Sequence, residues 1–372
     1  MRVTHLIKAV GIAGAERHLL TLIPGLHARA VDTDLILLVE PERMLDEYVQ
    51  LMETEGISVE RRLIRRHFDP TLIPWLIVRL RQRKPDILHT HLIHADLYGT
   101  LAAQFAGVRV VTSRHNDDPF RAKSPYRQIL QFLWHLTDAG IAISSAVARF
   151  SIETEGAPAD KLNTIHYGIV HRQHEVDKKA ARAELRQELQ LPPDALVIGI
   201  ISRLIAQKGI DDGLHAFKLV LDDFPDAHLV IAGDGALRQT LGMEAERLQL
   251  SSHVHFLGWR SNALHVMAAL DVFLMPSLWE GFGLTLLEAM SVSVPIVATT
   301  VSAIPEIVAH QETGLLVPPH DVKSLADSLI LLLGDSALRQ HMGMLGEDRL
   351  ETFFSADRMI DQILAVYQRV LG

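Results

Sequence analysis

Short runs of uninterrupted apolar residues recur along the chain. Each is followed by a turn rich in glycine or polar residues and then by a stretch with helical spacing. In the first half, Arg2 to Val10, Asp34 to Val39 (DLILLV), Asp86 to Thr90 (DILHT), Val108 to Ser113 (VRVVTS) and Asp138 to Ser144 (DAGIAIS) predict strands. A further strand is expected near Ile57 to Ile64, and another from Leu162 through Ile165 to a turn at Tyr167, Gly168 and Ile169. Helices are expected from Glu16 until Pro24 and Gly25 perturb them, over Met44 to Glu55 and over Tyr126 to Leu136, with Ser144 or Ser145 capping the next one.

From His171 to Pro193 the sequence turns polar and charged, with one exposed helix, and this break marks a domain boundary. The same grammar then restarts. Leu196 to Ser202, Ala227 to Ala232, His253 to Leu257, Ala269 to Pro276, Pro295 to Thr299 and Thr313 to Val317 read as strands, and Asp211 to Leu221 as a helix. Leu325 to Leu333 and Arg339 to Leu345 are helical. Ala356 to Leu371 closes the chain as an amphipathic helix with Ile360, Ile363, Leu364, Tyr367 and Leu371 on one stripe. Strands that are apolar throughout and alternate with helices indicate parallel sheets covered on both faces. The expected architecture is α/β: two doubly wound domains, 1–170 and 195–355, joined by a linker at 171–194 and facing each other across a cleft.

A chain of 372 residues suits two domains, and 48% hydrophobic with 22% charged residues describes an ordinary globular protein. The absence of cysteine excludes a disulfide framework, thiolate chemistry and Cys-ligated zinc. The N-terminus MRVTHLIKAV has no signal-peptide pattern, and no apolar run reaches bilayer length, which points to a cytoplasmic protein. The net charge of −9 is uneven: Met1 to Val170 carries 20 Lys/Arg against 19 Asp/Glu, and the remainder 16 against 26. Arg61, Arg62, Arg65, Arg66, Arg79, Arg81, Arg83 and Lys84 face only Asp69 within 61–84, interleaved with Phe68, Leu72, Ile73, Trp75, Leu76 and Ile77. Two readings stand: an amphipathic surface for anionic lipid or an anionic acceptor, at the inner face of the cytoplasmic membrane, or a packed helix with a wet basic face. Nucleic acid is not expected as a partner, because the chain is acidic and carries no reader motif.

The most informative stretch is Ser277 to Met290, SLWEGFGLTLLEAM, which follows the strand ending at Pro276. Gly281 and Gly283 permit a tight turn at a helix start, where free N–H groups stabilise an anion. Glu280 in the turn and Glu288 inside the helix cannot chelate phosphate, so they read as acceptors for flanking hydroxyls. A ligand with an anionic middle and polyol ends fits this set, as a nucleotide sugar does. Arg203 and Lys208 follow an earlier strand, five apart beside Gly209, and suit a diphosphate.

In the first half, Gly11 and Gly14 follow a strand without the dinucleotide or Walker spacing, so only close backbone approach follows. Two successive strand ends deliver His89 and His91, then His115, Asn116 and Asp117. Read with His94 as a metal site, these histidines lack zinc-motif spacing; packed or capping histidines are the bland alternative.

Together GIAGAE, the HTH before a helix, S-R-L-x-x-x-K-G, A-G-D-G, F-L-G-W-R and E-G-F-G-x-x-x-x-E resemble the retaining glycosyltransferases of family 4, which have the GT-B fold of two Rossmann-like domains. The resemblance implies that Gly14 offers its amide to the donor phosphate, that Arg203 and Lys208 clamp the diphosphate, and that Glu288 holds the ribose hydroxyls. It implies Glu280, with Gly281, Phe282 and Gly283, at the transferred sugar, Gly233 in the donor site, Trp259 and Arg260 at the base, and His91 beside sugar and acceptor. His115 and Asn116 fall on the acceptor side, and the helix at about 356–372 is expected to pack back on the first domain. Ala13 stands where the family commonly has a second glycine.

The implied reaction moves a sugar from a nucleoside-diphosphate donor, UDP- or GDP-linked, to a hydroxyl of a glycan, lipid-linked or small-molecule acceptor. Catalysis falls to Glu280, His91, Arg203 and Lys208, with same-face attack preferred over a Glu280 nucleophile. No cofactor is expected, and no divalent metal is required if those donors suffice. The alternatives are a nucleotide-sugar epimerase or hydrolase of the same architecture, a non-catalytic nucleotide-sugar or lipid-binding module, and, less well supported by the glycine spacing, an NAD-dependent dehydrogenase.

Overall fold

A computed structural model describes residues 1–64, 69–171 and 176–372. Arg65, Arg66 and Phe68 of the basic stretch lie outside the described residues. The chain divides into two compact units, Met1–Val170 with Ser355–Gly372, and His171–Phe354.

In the first unit the described strands are β1 (Arg2–Lys8), β2 (Asp32–Val39), β3 (Ser58–Leu63), β4 (Ile87–His91), β5 (Arg109–Arg114), β6 (Ala139–Ala142) and β7 (Leu162–Thr164). They form one parallel sheet in the order β3-β2-β1-β4-β5-β6-β7. The strand order reverses direction between β1 and β4. Helices α1 (Gly14–His27), α2 (Asp46–Thr54), α3 (Leu72–Arg83), α4 (Leu92–Ala106), α5 (Tyr126–His135) and α6 (Ser145–Glu155) connect the strands. Each helix buries one stripe: α3 turns Leu72, Leu76 and Leu80 into a core shared with Leu6, Leu88, Tyr98 and Val110. Ser144, not Ser145, caps α6 by accepting from Val147 N at 3.1 Å.

Helix α1 runs through Pro24 and Gly25 instead of breaking there. Proline removes one donor, while the following turn stays closed by Ala28 N donating to Pro24 O at 2.9 Å. Gly25 lies where the chain's last helix arrives, and a Cβ there would stand 2.2 Å from Ile360 Cδ1. The strand expected from Leu162 through Ile165 ends at Thr164, and the stretch expected to turn, Tyr167 to Ile169, belongs to no regular element. Gly168 instead lies against Ser355, with room for no side chain because Ser355 O would be 2.3 Å from a Cβ.

The second unit begins earlier than the polar composition suggests. Helix α7 (Lys178–Glu188), expected in an exposed linker, is docked: Arg186 is buried, donating to Ala195 O, Ala269 O and Asp271. Strands β8 (Val197–Ile201), β9 (His228–Ala232), β10 (Val254–Gly258), β11 (Val272–Met275), β12 (Ile296–Thr299) and β13 (Gly314–Val317) form a parallel sheet in the order β10-β9-β8-β11-β12-β13. Here the order reverses between β8 and β11. Helices α8 (Ile210–Asp223), α9 (Arg238–Arg247), α10 (Ala263–Ala268), α11 (Leu284–Ser291), α12 (Ile304–Ile307), α13 (Val322–Gly334) and α14 (Ser336–Phe353) complete the unit. Ile198, Ile200, Leu214, Phe217, Leu274, Leu325 and Leu329 belong to its core.

The last helix, α15 (Ala356–Leu371), belongs to the first unit. Its Met359, Ile360, Ile363, Val366 and Tyr367 are buried, and Arg29 at the end of α1 pairs with Asp357 and Asp361.

Candidate active site

Doubly wound sheets bind ligands outside the carboxyl ends of the strands that flank the reversal of strand order. In the second unit those strands are β8 and β11, and the turns after them are laced together. Residues Ala206–Lys208 make one 3-10 turn, and Gly209 opens α8 at φ 57°. Leu278 N donates to Gln207 O at 2.8 Å, and Gln207 Nε2 donates to Trp279 O at 3.0 Å. Gly209 makes the approach possible, since a Cβ would lie 2.0 Å from Pro276 O. The turn after β9 joins them through Gly233, at φ 139°, whose Cβ would stand 1.8 Å from Ser202 O. Gly233 N also donates to Gly258 O, at the end of β10, at 2.8 Å.

At this edge the Lys208 ammonium is ion-paired to the Glu280 carboxylate, with only 13% and 12% of the two side chains exposed. Arg203, from the same turn as Lys208, is exposed, and among the described residues nothing pairs with its guanidinium. The Glu280 backbone N–H faces Ser302 Oγ at 3.4 Å. Gly283, at φ 101°, precedes α11, on which Glu288 is half-buried. Phe282 is buried, 6.1 Å edge-on from Phe354, which anchors the glycine turn. The structure thus brings Arg203, Lys208, Gly233, Glu280, Gly281 and Gly283 to one sheet edge. Trp259 also follows β10 but is 70% exposed, and Arg260 is committed to Glu188 of α7.

In the first unit the flanking strands are β1 and β4. After β1, Gly11 and Gly14 face open space, and Glu16 of α1 turns back to accept from Ala13 N at 3.0 Å. Alongside, His5 on β1 is in register with His89 on β4, and His91 shares their face. His5 Nδ1 lies 3.1 Å from His91 Nε2, and His91 Nδ1 lies 3.0 Å from His115 Nε2. His115 Nδ1 meets the Tyr167 hydroxyl. His89 is held separately, by Tyr367 of α15 at 2.6 Å and Ser113 at 2.8 Å. His18 of α1 stacks on Tyr167 at 4.4 Å. Burial holds all five imidazoles neutral, with repulsion from neighbouring histidines added for all but His18: His5 and His18 fall to about 3, and His89, His91 and His115 lie well below the ordinary value.

The expected contact of His91 with substrate meets a physical obstacle. Its side chain is fully buried and both ring nitrogens are taken by histidines, so a bond must be exchanged before it meets a ligand. His115 is likewise engaged at both nitrogens. Asn116 accepts from Arg121 at 2.6 Å. Arg121 and Arg114 share buried Glu155, and Arg114 also pairs with Asp96 at 2.6 Å, a charged network beneath the loop that carries His115. Leu92, immediately after His91, sits at φ 70°, a conformation costly for a side-chain-bearing residue.

His94 lies on α4 and is not part of the histidine group whose ligand atoms come together; that group is His5, His89 and His91, with ligand atoms within 4.8 Å of one another. A metal there would have to displace one of the two hydrogen bonds of His89. Sequence reasoning missed His5, His18, Tyr167 and Tyr367. Their positions depend on which strands are neighbours, and the alternation of β1 alone says only which face His5 occupies.

Two family models divide the chain between them: "Glycosyltransferase Family 4" over residues 12–173 and "Glycosyl transferases group 1" over 181–349. N-acetyl-alpha-D-glucosaminyl L-malate synthase of Bacillus anthracis is 30% identical over 292 residues, covering 77% of this chain and 75% of that protein. The chain belongs to the family 4 glycosyltransferases. Phosphatidyl-myo-inositol mannosyltransferase of Mycobacterium leprae is 27% identical over 96% of this chain and 93% of its own length. The crystal structure of Anabaena HepE in complex with UDP matches the transferase with a TM-score of 0.86 at 22% identity, over 99% of this chain and 100% of that one, which identifies the GT-B fold. Among the described residues no helix of the transferase is long and apolar enough to cross a membrane.

In the basic stretch the packed-helix alternative finds its partners. Arg79 and Arg83 pair with Glu60, Arg83 also with Asp34, and the Arg62 and Arg79 guanidinium groups lie over the ring of half-buried Trp75 at 5.4 and 5.5 Å.

Proposed function

We propose that this glycosyltransferase moves a hexosyl group, with retention, from a UDP- or GDP-linked donor to an acceptor hydroxyl. The Lys208–Glu280 pair beside Arg203, whose guanidinium is unpaired among the described residues, at the carboxyl edge of β8 and β11, carries the reading. Two cations are matched to a diphosphate, and a carboxylate stands next to them for sugar hydroxyls. The bond from the anomeric carbon to the phosphate oxygen breaks as that carbon bonds to the acceptor oxygen, on the same face. The acceptor's proton passes to the departing phosphate oxygen. Arg203, Lys208 and the amides around Gly283 stabilise the charge that develops there, the task a divalent ion performs elsewhere. Full turnover in EDTA is the expected result.

For the acceptor we favour a lipid-linked or glycan hydroxyl, on the support of relatives such as the phosphatidyl-myo-inositol mannosyltransferase. A cytoplasmic protein resting on an anionic membrane through 61–84 goes with that reading, though the ion pairs of Arg79 and Arg83 leave fewer charges for lipid. Sedimentation with liposomes, with and without acidic lipid, tests it; equal recovery in the supernatant removes it. The deciding experiment for the function is a panel of nucleotide sugars incubated with a mixed acceptor extract and read by mass spectrometry. A product heavier by one sugar supports transfer, and sugar released from donor alone, indifferent to acceptors, supports a hydrolase.

A further inference from the structure

We propose that the Lys208–Glu280 ion pair is a latch that makes the donor site discriminate a complete nucleoside-diphosphate sugar from the free nucleoside diphosphate. The inference rests on the donor-site reading above and adds a specificity device to it.

The argument is one of charge and burial. Arg203 is exposed and unpaired among the described residues, so it meets an incoming diphosphate at no internal cost. Lys208 is not available in the same way, because its ammonium is already on Glu280. The diphosphate of a donor carries two charges and the free nucleoside diphosphate one more, on its terminal phosphate; in either case, matching a second charge beyond the one met by Arg203 requires Lys208 to leave Glu280. The carboxylate left behind has only 12% of its side chain exposed, and a carboxylate so enclosed is strongly disfavoured without a partner. The backbone on either side opposes swinging it into solvent, since Trp279 O accepts from Gln207 at 3.0 Å and Glu280 N faces Ser302 Oγ at 3.4 Å. A free nucleoside diphosphate offers Glu280 nothing in exchange. A complete donor brings sugar hydroxyls, whose bonds to a carboxylate are charge-assisted and replace the lost ammonium. Opening the latch is therefore costly for the product and compensated for the substrate. The same device favours product departure after transfer, when Lys208 can return to Glu280.

An ammonium that held both groups at once, using two of its three protons, would abolish the exchange and the discrimination with it. The two cases separate in a binding measurement on the intact chain, using UDP against UDP-glucose and GDP against GDP-mannose by titration calorimetry. For whichever base binds, the wild type is expected to prefer the sugar nucleotide by about tenfold or more, the scale set by one charge-assisted bond. Glu280→Gln removes the stranded charge while keeping a hydrogen-bonding side chain of the same size. It should bind the free diphosphate about tenfold more tightly than the wild type does and bring the ratio of affinities close to one. Because the measured quantity is a ratio, a partly unfolded preparation lowers both members alike and leaves the outcome readable. Equal affinities in the wild type, or a ratio unchanged in Glu280→Gln, overturn the latch; if Arg203→Ala still weakens both ligands, the donor site itself stands. No binding of either pair overturns both.

Discussion

His91 Nδ1 lies 3.0 Å from His115 Nε2, and His91 Nε2 lies 3.1 Å from His5 Nδ1, so the central imidazole must donate one proton and accept one. In a chain of neutral imidazoles each ring donates in the same direction as the last. If the protons point toward Tyr167, the unpartnered buried atom His5 Nε2 is a bare lone pair; if they point away, it is an orphaned N–H. The first arrangement costs less, since unsatisfied buried donors are rarer than unsatisfied acceptors. The structure therefore favours the Nδ1-protonated tautomer for His5, His91 and His115, with Tyr167 at the receiving end. Nitrogen-resolved NMR of the three imidazoles at neutral pH is expected to show that tautomer.

The same cluster makes stability depend on pH. The fold lowers the pKa of His5 and His18 to about 3 and pushes His89, His91 and His115 downward as well, against an ordinary value near 6.5. A lowered histidine pKa means that the unfolded chain binds more protons below pH 6.5. Stability is therefore complete above that pH and declines as the pH falls toward 3. Each histidine contributes a loss of about 1.4 kcal/mol per pH unit in this window. Thermal melts between pH 7.5 and 5 should show a falling midpoint, and His5→Phe should flatten the slope. A midpoint level across that range would contradict the buried neutral cluster.

His91→Ala separates a positioning role from direct contact with substrate. It leaves nitrogens of His5 and His115 without their partner, at about 1–3 kcal/mol for each stranded group. The expected result is a lower melting midpoint together with lost activity, while donor affinity, which the proposed donor site assigns to the other unit, stays at the wild-type level. Unchanged stability with a lost rate would place His91 at the substrate.

The alternation of strands and helices, the GFG turn and the Arg203/Lys208 turn were legible in the sequence because each is local: apolar runs, glycine at strained positions and charge at a strand end. What the sequence could not supply was adjacency. Nothing local says that β1 lies beside β4, which is what sets His5 next to His91, or that Lys208 points at Glu280 rather than at solvent. The polar composition of 171–194 misled for a related reason. Arg186 reads as a surface charge until Asp271, 85 residues on, buries and pairs it.

Arg203 and Lys208 should behave differently despite their shared turn. Arg203→Ala removes an exposed cation that has no side-chain partner among the described residues, so stability should stay within about 0.5 kcal/mol of wild type. Donor affinity should fall roughly ten- to a hundredfold. Lys208→Ala strands Glu280, so both quantities should fall. Equal stability losses in the two variants would contradict the pairing.

Glu155→Gln tests how the loop carrying His115 is held. Glu155 accepts from Arg114 Nε at 2.6 Å and from Arg121 Nη1 at 2.9 Å, with its side chain fully buried. Arg114 lies 4.8 Å over the Trp134 ring and keeps Asp96 as a second partner, whereas among the described residues Arg121 keeps Asn116 as its one other side-chain partner and has Nε unpartnered. Neutralising Glu155 therefore leaves a buried guanidinium excess, which costs about 3–5 kcal/mol when an internal pair is broken. The surrounding carboxylates identify where the strain goes: Asp96 can still neutralise Arg114, so Arg121 and the Asn116 loop should loosen first. Hydrogen exchange on the intact transferase is the suitable measurement. Amides from His115 to Lys123 should lose protection ahead of β5 itself, and Arg121→Met in the Glu155→Gln background should restore part of the stability by removing the unpaired cation. Uniform loss of protection across the first unit, with no rescue by Arg121→Met, would mean that the network holds the sheet as a whole and not the loop.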